Sequence, residues 1–416
     1  MDPRFAEQRW IAMEIYERLE AEMEGRGFGA VIAYGESCSN PNFCYLARIS
    51  VPRGGLFFKA LNRDPVLIVS QVDYGVASRG FPGDVITFPE LVGQASSGSA
   101  ADVIALSIEE LLKRHGISGE VAIYAKEDFS ASLRIWERLS GKGFKVIVEG
   151  YPSLLDSLRE LKVRGERRRI SELGRSVAKV FESIYELLGE CRIKGNSLHH
   201  KGKPLRVGDL KSLAMVELVE RDLIPSEGFI ISAGRRASDP HYPGSKGDPI
   251  KRGDPIVIDL FPKGGDGYFY DMTRTALVGR SAEIERMHSL VVEAQGLAKD
   301  VIEDGGRAGE AMDSVCEFFE RNGFETARKR ADSIAIPKRG FIHSLGHGVG
   351  LSIGERPFLR RGEDYAFRDG HVFTIEPGLY DPKLGGVRVE DVFIFENGKV
   401  RAATGKLFPQ ELLLIS

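Results

Sequence analysis

Two segments of this 416-residue chain share one pattern: an apolar strand ends in an acidic residue, and a second acid follows after a turn. The first runs from Ile256-Val-Ile-Asp259 to Asp271, and the second runs from Phe373-Thr-Ile-Glu376 to Glu390. Each predicts a β-hairpin that presents both acids on one face. Burying carboxylates side by side is costly, and a bound metal cation is the usual compensation. The pattern therefore predicts a metal site as well as a fold.

The segment between the two hairpins, His343-Ser-Leu-Gly-His347-Gly-Val-Gly350, adds a nitrogen donor through His347. An oxygen-rich set with one imidazole suits Mn²⁺, Co²⁺, Fe²⁺ or Zn²⁺ better than a thiolate-selecting metal. Two such ions roughly 3.5–4 Å apart would hold a hydroxide between them as a nucleophile. The alternative is that the acids are surface charges, as most Asp and Glu residues are. That alternative is weaker because Asp259 and Glu376 directly follow apolar residues.

Length and composition predict two domains, 1–160 and 161–416, because the chain exceeds what one hydrophobic core usually supports. A formal net charge of −3 gives no general attraction for nucleic acid or anionic membranes. The four cysteines, one of them Cys38, show no C-x-x-C spacing, and no apolar run is long enough to span a bilayer. We therefore expect a cytoplasmic protein with no nucleic-acid or membrane partner.

The first domain alternates apolar runs with helical patterns, which is typical of an α/β fold. We predict strands at 30–34, 55–58, 66–69, 121–124 and 145–148, with helices at 102–114 and 131–140. In the second domain, apolar residues recur three and four apart from Ile170 and predict a long helix. The charged stretch Arg164–Arg169 before it is a candidate boundary, and the order beyond it is that of an α+β domain.

Four ordered blocks over about 180 residues resemble the pita-bread metallopeptidases, in particular the prolidase and aminopeptidase P branch. The blocks lie around Asp259 and Asp271, at 343–351, at 374–380 and at 385–391. The resemblance implies a creatinase-like α/β N-terminal domain and a pseudo-twofold α+β catalytic domain. It also implies two divalent metal ions, Mn or Co in the first place and Zn or Fe as alternatives, a small peptide substrate and a homodimer.

The resemblance also implies a role for each site residue. The five metal-ligand positions are occupied by Asp259, Asp271, His347, Glu376 and Glu390. Glu376 is implied to be the general base as well. His241 matches a histidine that contacts the substrate, and Arg388 matches an arginine that holds a ligand carboxylate in place. His343 and Tyr380 are assigned to the lining and support of the substrate site.

The chain departs from the family pattern at Gly354, where an active-site histidine is expected seven residues after His347. That imidazole is expected to bond the scissile carbonyl, and losing one such donor costs on the order of a hundredfold in rate. Glu355, Arg356, His241 or water could take over part of the role. Otherwise the enzyme could act on a different substrate.

Three functions therefore stay open at the level of sequence. The leading one is hydrolysis of Xaa-Pro bonds, by a dipeptidase or an aminopeptidase, through a metal-bridging hydroxide. The second is a creatinase-like hydrolase of a small amide or amidine, since one fold hosts several chemistries. The third is a catalytically impaired binding homologue. Metal analysis separates the third from the others, and a panel of Xaa-Pro peptides separates the first from the second.

Overall fold

A computed structural model describes residues 3–36, 39–93, 99–126, 129–330 and 338–416. Its chain contacts divide it into two compact units: Met1–Arg159 with Val163–Glu166, and Glu160–Lys162 with Arg167–Ser416.

The first unit is built on a five-stranded mixed sheet in the order β4-β3-β2-β1-β5. Strands β1 and β2 pair antiparallel, whereas β1 and β5 pair parallel. Strands β2 and β3 are buried along their whole length, which is why they read as continuous apolar runs. The elements are α1 (Pro3–Arg26), β1 (Phe28–Gly35), α2 (Pro41–Ala47), β2 (Gly55–Ala60), β3 (Val66–Val69), α3 (Tyr74–Gly80), β4 (Asp84–Thr87), α4 (Phe88–Val92), α5 (Ala100–Arg114), β5 (Glu120–Ala125), α6 (Phe129–Gly141) and α7 (Leu154–Glu160).

Most of the predicted elements of this unit are confirmed, and one is wrong. Residues 145–148 form no strand; Val146 makes a single bridge to Val121. Helices α5 and α6 cover the two predicted helical stretches. Cys38, named in the cysteine count, lies outside the described residues, and Cys44, Cys191 and Cys316 are buried free thiols.

The second unit begins with the long helix α8 and alternates helices with short sheets. Its helices are α8 (Arg164–Glu190), α9 (Val207–Val219), α10 (Ala282–Glu303) and α11 (Ala308–Arg321). Its strands are β6 (Arg192–Lys194), β7 (Ser197–His200), β8 (Lys203–Pro204), β9 (Leu223–Ile224), β10 (Ile230–Ala233), β11 (Pro255–Leu260), β12 (Lys263–Gly264), β13 (Met272–Val278), β14 (Gly346–Val349), β15 (Ile353–Leu359), β16 (Val372–Ile375), β17 (Gly378–Asp381), β18 (Gly385–Arg388), β19 (Asp391–Glu396), β20 (Lys399–Ala402) and β21 (Leu413–Ile415).

Helix α8 starts at Arg164, six residues before its first predicted apolar position. The charged stretch Arg164–Arg169 is thus helical. Arg169 donates from Nε to Asp266 in the β12–β13 turn at 2.7 Å. Asp266 is therefore ion-paired and only 14% exposed. This pair fastens α8 to the first acidic hairpin.

Two sheets carry the acidic hairpins. One has the order β10-β11-β13-β21 and the other the order β15-β14-β16-β19-β20, with β17 and β18 forming a separate hairpin. Helices α10 and α11 pack with strands of both sheets in one apolar core that includes Val291, Phe319 and Phe373. Burial of this core fixes the strands that contain Asp259 and that end or begin next to the other three acids. None of the helices in the described part of the chain is long and apolar enough to cross a membrane.

Candidate metal centre and active-site cavity

The two acidic hairpins meet at one pair of residues, Thr273 and Glu390. Their backbones form an antiparallel bridge, with Glu390 N donating to Thr273 O at 3.0 Å. The Thr273 hydroxyl also donates to Glu390 Oε2 at 2.7 Å. Asp259 faces Thr273 across the β11–β13 ladder. The acids of both hairpins are therefore brought to one point by backbone pairing.

Asp271, His347 and Glu390 each offer a ligand atom within 4.8 Å of the others. His347 Nε2 lies 3.7 Å from Asp271 Oδ2 and 3.6 Å from Glu376 Oε1. With its proton on Nδ1, the ring donates to Gly348 O at 3.1 Å, which leaves the Nε2 lone pair facing the carboxylates. The structure thus gathers four of the five expected ligands, three carboxylates and the His347 imidazole, in one cluster.

The fifth expected ligand, Asp259, is held by Arg388. Arg388 Nη2 donates to Asp259 Oδ2, and both side chains are buried. Arg388 Nη1 donates to the Tyr380 hydroxyl at 2.8 Å, and that hydroxyl lies 2.9 Å from His343 Nε2. Ser344 O lies 2.7 Å from His343 Nδ1 and can only accept, so the single proton of the neutral ring lies on Nδ1. Nε2 therefore accepts the proton of the Tyr380 hydroxyl.

The electrostatics of this cluster are those of a centre without enough positive charge. Burial, reinforced by neighbouring carboxylates, raises the pKa of Glu390 to about 8. The same causes raise the pKa of Asp271 and Glu376 well above their ordinary values. Burial and the nearby Arg388 lower the pKa of His343 to about 3. The single positive charge of the Arg388 guanidinium therefore does not balance the negative charge that the four carboxylates would carry.

The donor set fits divalent cations. Three buried carboxylate oxygens have no hydrogen-bond partner among the described residues: Oδ1 of Asp259, Oδ1 of Asp271 and Oε1 of Glu390. Leaving buried polar atoms unpaired is costly, and native proteins rarely do so without a ligand or ion. Carboxylate oxygens with one imidazole nitrogen are the ligands that Mn²⁺, Co²⁺, Fe²⁺ and Zn²⁺ accept.

These residues form one wall of a cavity of about 1000 Å³. His241, exposed to solvent, lies on the same cavity, as do His343 and Arg388. The cavity is also lined by α9 and the segment that leads into β10, through Lys211, Met215 and Phe229. Tyr380 does not line the cavity; it lies behind His343 and Arg388 and is 1% exposed. Tyr380 thus contacts two lining residues without lining the cavity itself.

Gly354 is the extra residue of a β-bulge. Gly348 pairs with Glu355 and Val349 with Ile353, so Gly354 has no partner on β14. Its φ of +75° is the left-handed conformation that glycine adopts freely. A Cβ at this position would meet nothing within 4 Å. The space expected for an imidazole is therefore open, but the backbone conformation disfavours any other residue.

Two neighbours suggested as substitutes for the missing histidine are engaged elsewhere. Glu355 Oε1 lies 2.7 Å from the buried Lys162 ammonium, and Arg356 Nε donates to Glu160 at 2.7 Å. Neither lines the cavity. His241 does, so it is the suggested side-chain substitute that faces the site.

Sequence reasoning missed Thr273 and the Glu160–Lys162 segment. Thr273 lies two positions after Asp271, so strand alternation places both on one face and would have identified it. It bonds Glu390 and also accepts from Arg388 Nε at 3.2 Å. Lys162 gave no such signal, because its partner Glu355 is far away in sequence.

The chain is similar to known peptidases in sequence and in fold. Residues 170–397 match metallopeptidase family M24. The chain is 41% identical over 356 residues to a Xaa-Pro dipeptidase of Pyrococcus furiosus, covering 84% of this chain and 87% of that protein. Its fold is similar to the crystal structures of a Xaa-Pro dipeptidase from Bacillus anthracis and an X-Pro aminopeptidase from Thermotoga maritima. For the first, the TM-score is 0.77 with 23% identity over 97% of this chain and 99% of that one. For the second, it is 0.72 with 21% identity over 93% and 97%.

The chain belongs to metallopeptidase family M24. It is a hydrolytic enzyme with the pita-bread fold, as the sequence resemblance implied. Membership of this family implies divalent metal ions, which agrees with the donor set of the carboxylate cluster.

Proposed function

We propose that this enzyme hydrolyses the Xaa-Pro bond of short peptides with two divalent metal ions, Mn²⁺ or Co²⁺, bound at the carboxylate cluster. The observation that carries the proposal is that Asp271, His347 and Glu390 offer ligand atoms within 4.8 Å of one another on the wall of a large cavity. Beside them lie buried carboxylate oxygens that have no hydrogen-bond partner in the described part of the chain. The similarity to a named Xaa-Pro dipeptidase over most of both chains supports the choice of substrate.

Asp259, Asp271, His347, Glu376 and Glu390 would hold the ions. Bound divalent ions lower the pKa of water and polarise a carbonyl oxygen. Arg388 orients Asp259, and Thr273 orients Glu390, so two of the ligand carboxylates are fixed before any metal binds. Such preorganisation restricts the geometry that the centre can accept.

Glu376 is the proposed general base. Its side chain is 14% exposed and lines the cavity, whereas Asp271 and Glu390 are more deeply buried. It would take a proton from the attacking water and deliver it to the leaving proline nitrogen, so that the C–N bond breaks and an acid and a secondary amine result. His343, whose Nδ1 lies 3.9 Å from Glu376 Oε2, is neutral, and its Nδ1–H donates to Ser344 O.

His241 is the proposed donor to the scissile carbonyl. It lies on the cavity and is exposed, and the position of the expected second histidine is occupied by Gly354. A peptide bond before proline has no N–H, and the proline ring fixes φ. A site shaped for this amide would accept it while excluding ordinary peptides.

We also propose that the enzyme is a cytoplasmic homodimer. Light scattering coupled to size-exclusion chromatography tests the dimeric state.

The proposal is tested by incubating metal-reconstituted enzyme with Xaa-Pro dipeptides, Xaa-Pro tripeptides and Xaa-Ala controls. We expect release of the N-terminal residue from proline substrates only. Turnover of the dipeptides but not the tripeptides defines a dipeptidase, and the reverse defines an aminopeptidase. Absence of turnover of every proline peptide by the metal-loaded enzyme would contradict the proposed substrate.

A further inference from the structure

A three-residue segment of the catalytic unit, Glu160–Lys162, contacts the strand that follows the Gly354 bulge. The Lys162 ammonium is 1% exposed and lies 2.7 Å from Glu355 Oε1, whose side chain is 9% exposed. Glu160 pairs with the next residue, Arg356, at 2.7 Å, and with the buried His371 at 3.2 Å. Two consecutive residues of β15 are therefore each held by an ion pair to this segment.

The Lys162–Glu355 pair packs directly against the histidine segment. A Cβ on Gly350 would lie 2.1 Å from Glu355 Oε1 and 2.9 Å from Lys162 Cε, so a side chain there would displace the pair. Gly350 is three residues after His347, and its carbonyl accepts from Phe269 N at 2.8 Å. Phe269 in turn lies two residues before Asp271. One buried pair thus touches the chain next to two of the proposed metal ligands.

The bulge gives a second connection to His347. Gly354 N lies 3.3 Å from His347 Nδ1, and Glu355 is the next residue along the strand. A displacement of Glu355 would therefore move the backbone that contacts the imidazole. The direction of the Glu355 side chain, toward Lys162 and away from the cavity, is set by the extra residue that the bulge inserts.

A buried lysine–glutamate pair is a poor source of stability, because both ions lose their hydration. Its value lies in excluding other arrangements of the groups that it joins. We propose that Lys162 is a positioning residue: through Glu355 it fixes the bulged strand and thereby holds His347 in the orientation that binds metal. The inference rests on the proposed metal centre, and it assigns a function to a residue far from the ligands in sequence.

The test compares Mn²⁺ binding, measured by titration calorimetry on metal-stripped protein, with kcat and KM on a Xaa-Pro dipeptide. Lys162→Met removes the ammonium and keeps most of the side-chain volume. We expect its dissociation constant for Mn²⁺ to rise about 10–100-fold, the range typical of residues that orient metal ligands. We expect kcat at saturating metal to fall, with a smaller change in KM.

The matched control is Lys59→Met in the first unit. Lys59 is also a buried lysine, 5% exposed, paired with Glu20. This variant loses a comparable ion pair, and we expect its metal affinity and kcat to equal those of the wild type. A merely structural role for Lys162 would make the two variants alike.

A double variant keeps the test decisive if Lys162→Met alone folds poorly. Lys162→Met with Glu355→Gln leaves no unpaired buried charge, so we expect a higher Tm than in the single variant with the metal affinity still weakened. Wild-type metal affinity in this folded double variant would overturn the proposal. A wild-type protein that binds no Mn²⁺ would instead overturn the metal centre itself, so the two failures are distinguishable.

Discussion

The Tyr380 hydroxyl lies 2.9 Å from Nε2 of His343, and it does so while accepting a hydrogen bond from Arg388. The proton of the neutral His343 ring lies on Nδ1 and donates to Ser344 O, so Nε2 accepts the hydroxyl proton. The hydroxyl connects this cavity-lining imidazole to the guanidinium that holds Asp259. One phenol thus contacts both His343 of the cavity lining and the arginine that holds Asp259, a proposed ligand carboxylate.

Tyr380→Phe is expected to lower kcat about 10–100-fold, because His343 and Arg388 both lose their orienting partner. It is also expected to cost about 1–3 kcal/mol of stability, since the buried Arg388 loses an acceptor. The control is Tyr16→Phe in the first unit, where the hydroxyl donates to Leu46 O at 2.6 Å. That variant should lose stability and keep its kcat. Equal kcat values for Tyr380→Phe and wild type would contradict the assigned support role.

The metal-free enzyme is expected to lose stability as the pH rises from about 4.5 to about 8. Within this range Glu390, whose folded pKa is raised to about 8, stays protonated in the folded state and is ionised in the unfolded state. The folded state then binds more protons, so stability falls by about 1.4 kcal/mol per pH unit for each such proton. The raised pKa values of Asp271 and Glu376 also make the stability fall as the pH rises.

Thermal unfolding in the presence of a chelator, at pH 5.5 and pH 8, measures this effect. Added Mn²⁺ should abolish most of the difference, since the cation replaces the protons. Calorimetry in buffers of different ionisation enthalpy should show proton release on binding. A metal-free protein that is more stable at pH 8 than at pH 5.5 would argue against the raised pKa values.

Gly354→His tests whether the open space at the bulge can accept the missing donor. Any residue with a Cβ is expected to cost about 1–2 kcal/mol there, because φ is +75°. Gly354→Ala carries the same strain without an imidazole and is the matched control. We expect Gly354→His to exceed Gly354→Ala in kcat on Xaa-Pro dipeptides by about tenfold. Equal rates for the two variants would show that this position does not reach the scissile carbonyl.

Glu376→Gln is expected to lower kcat about 10²–10⁴-fold, the usual contribution of a general base. Thermal stability should change little or increase, since a buried carboxyl with a raised pKa is replaced by a neutral amide. Glu293→Gln, an exposed glutamate on α10, is the control and should keep full activity. A rate within a few-fold of wild type for Glu376→Gln would reassign the base.

The strands next to the acids were predictable, because the signals that identify them are close together in sequence. Asp259 and Glu376 end apolar runs, and strand alternation relates Asp271 to Thr273. Helix α8 was predictable over its apolar part, but its start at Arg164 was not. A charged stretch is compatible with a helix as well as with a linker. Residues 145–148 have strand composition and make one bridge only, which shows that β-propensity depends on a partner.

The contacts that orient the site were not predictable, because they join residues far apart in sequence. Lys162 and Glu355, and likewise Tyr380 and His343, meet only through the tertiary fold. The absence of a histidine at Gly354 was visible in the sequence, but the bulge and the positive φ were not. The sequence shows which residue occupies this position, but it does not show the local strand pairing or the backbone conformation of that residue.

The most direct test of the metallopeptidase account is the rate of proline release from a Xaa-Pro dipeptide as Mn²⁺ is titrated into metal-stripped enzyme. We expect no release without metal and a rate that saturates as Mn²⁺ fills the carboxylate cluster. We also expect that Asp271→Asn, which removes one charge from that cluster, shifts the titration to higher Mn²⁺ concentration. A rate that is independent of metal, or a titration that Asp271→Asn leaves unchanged, would contradict the metallopeptidase account.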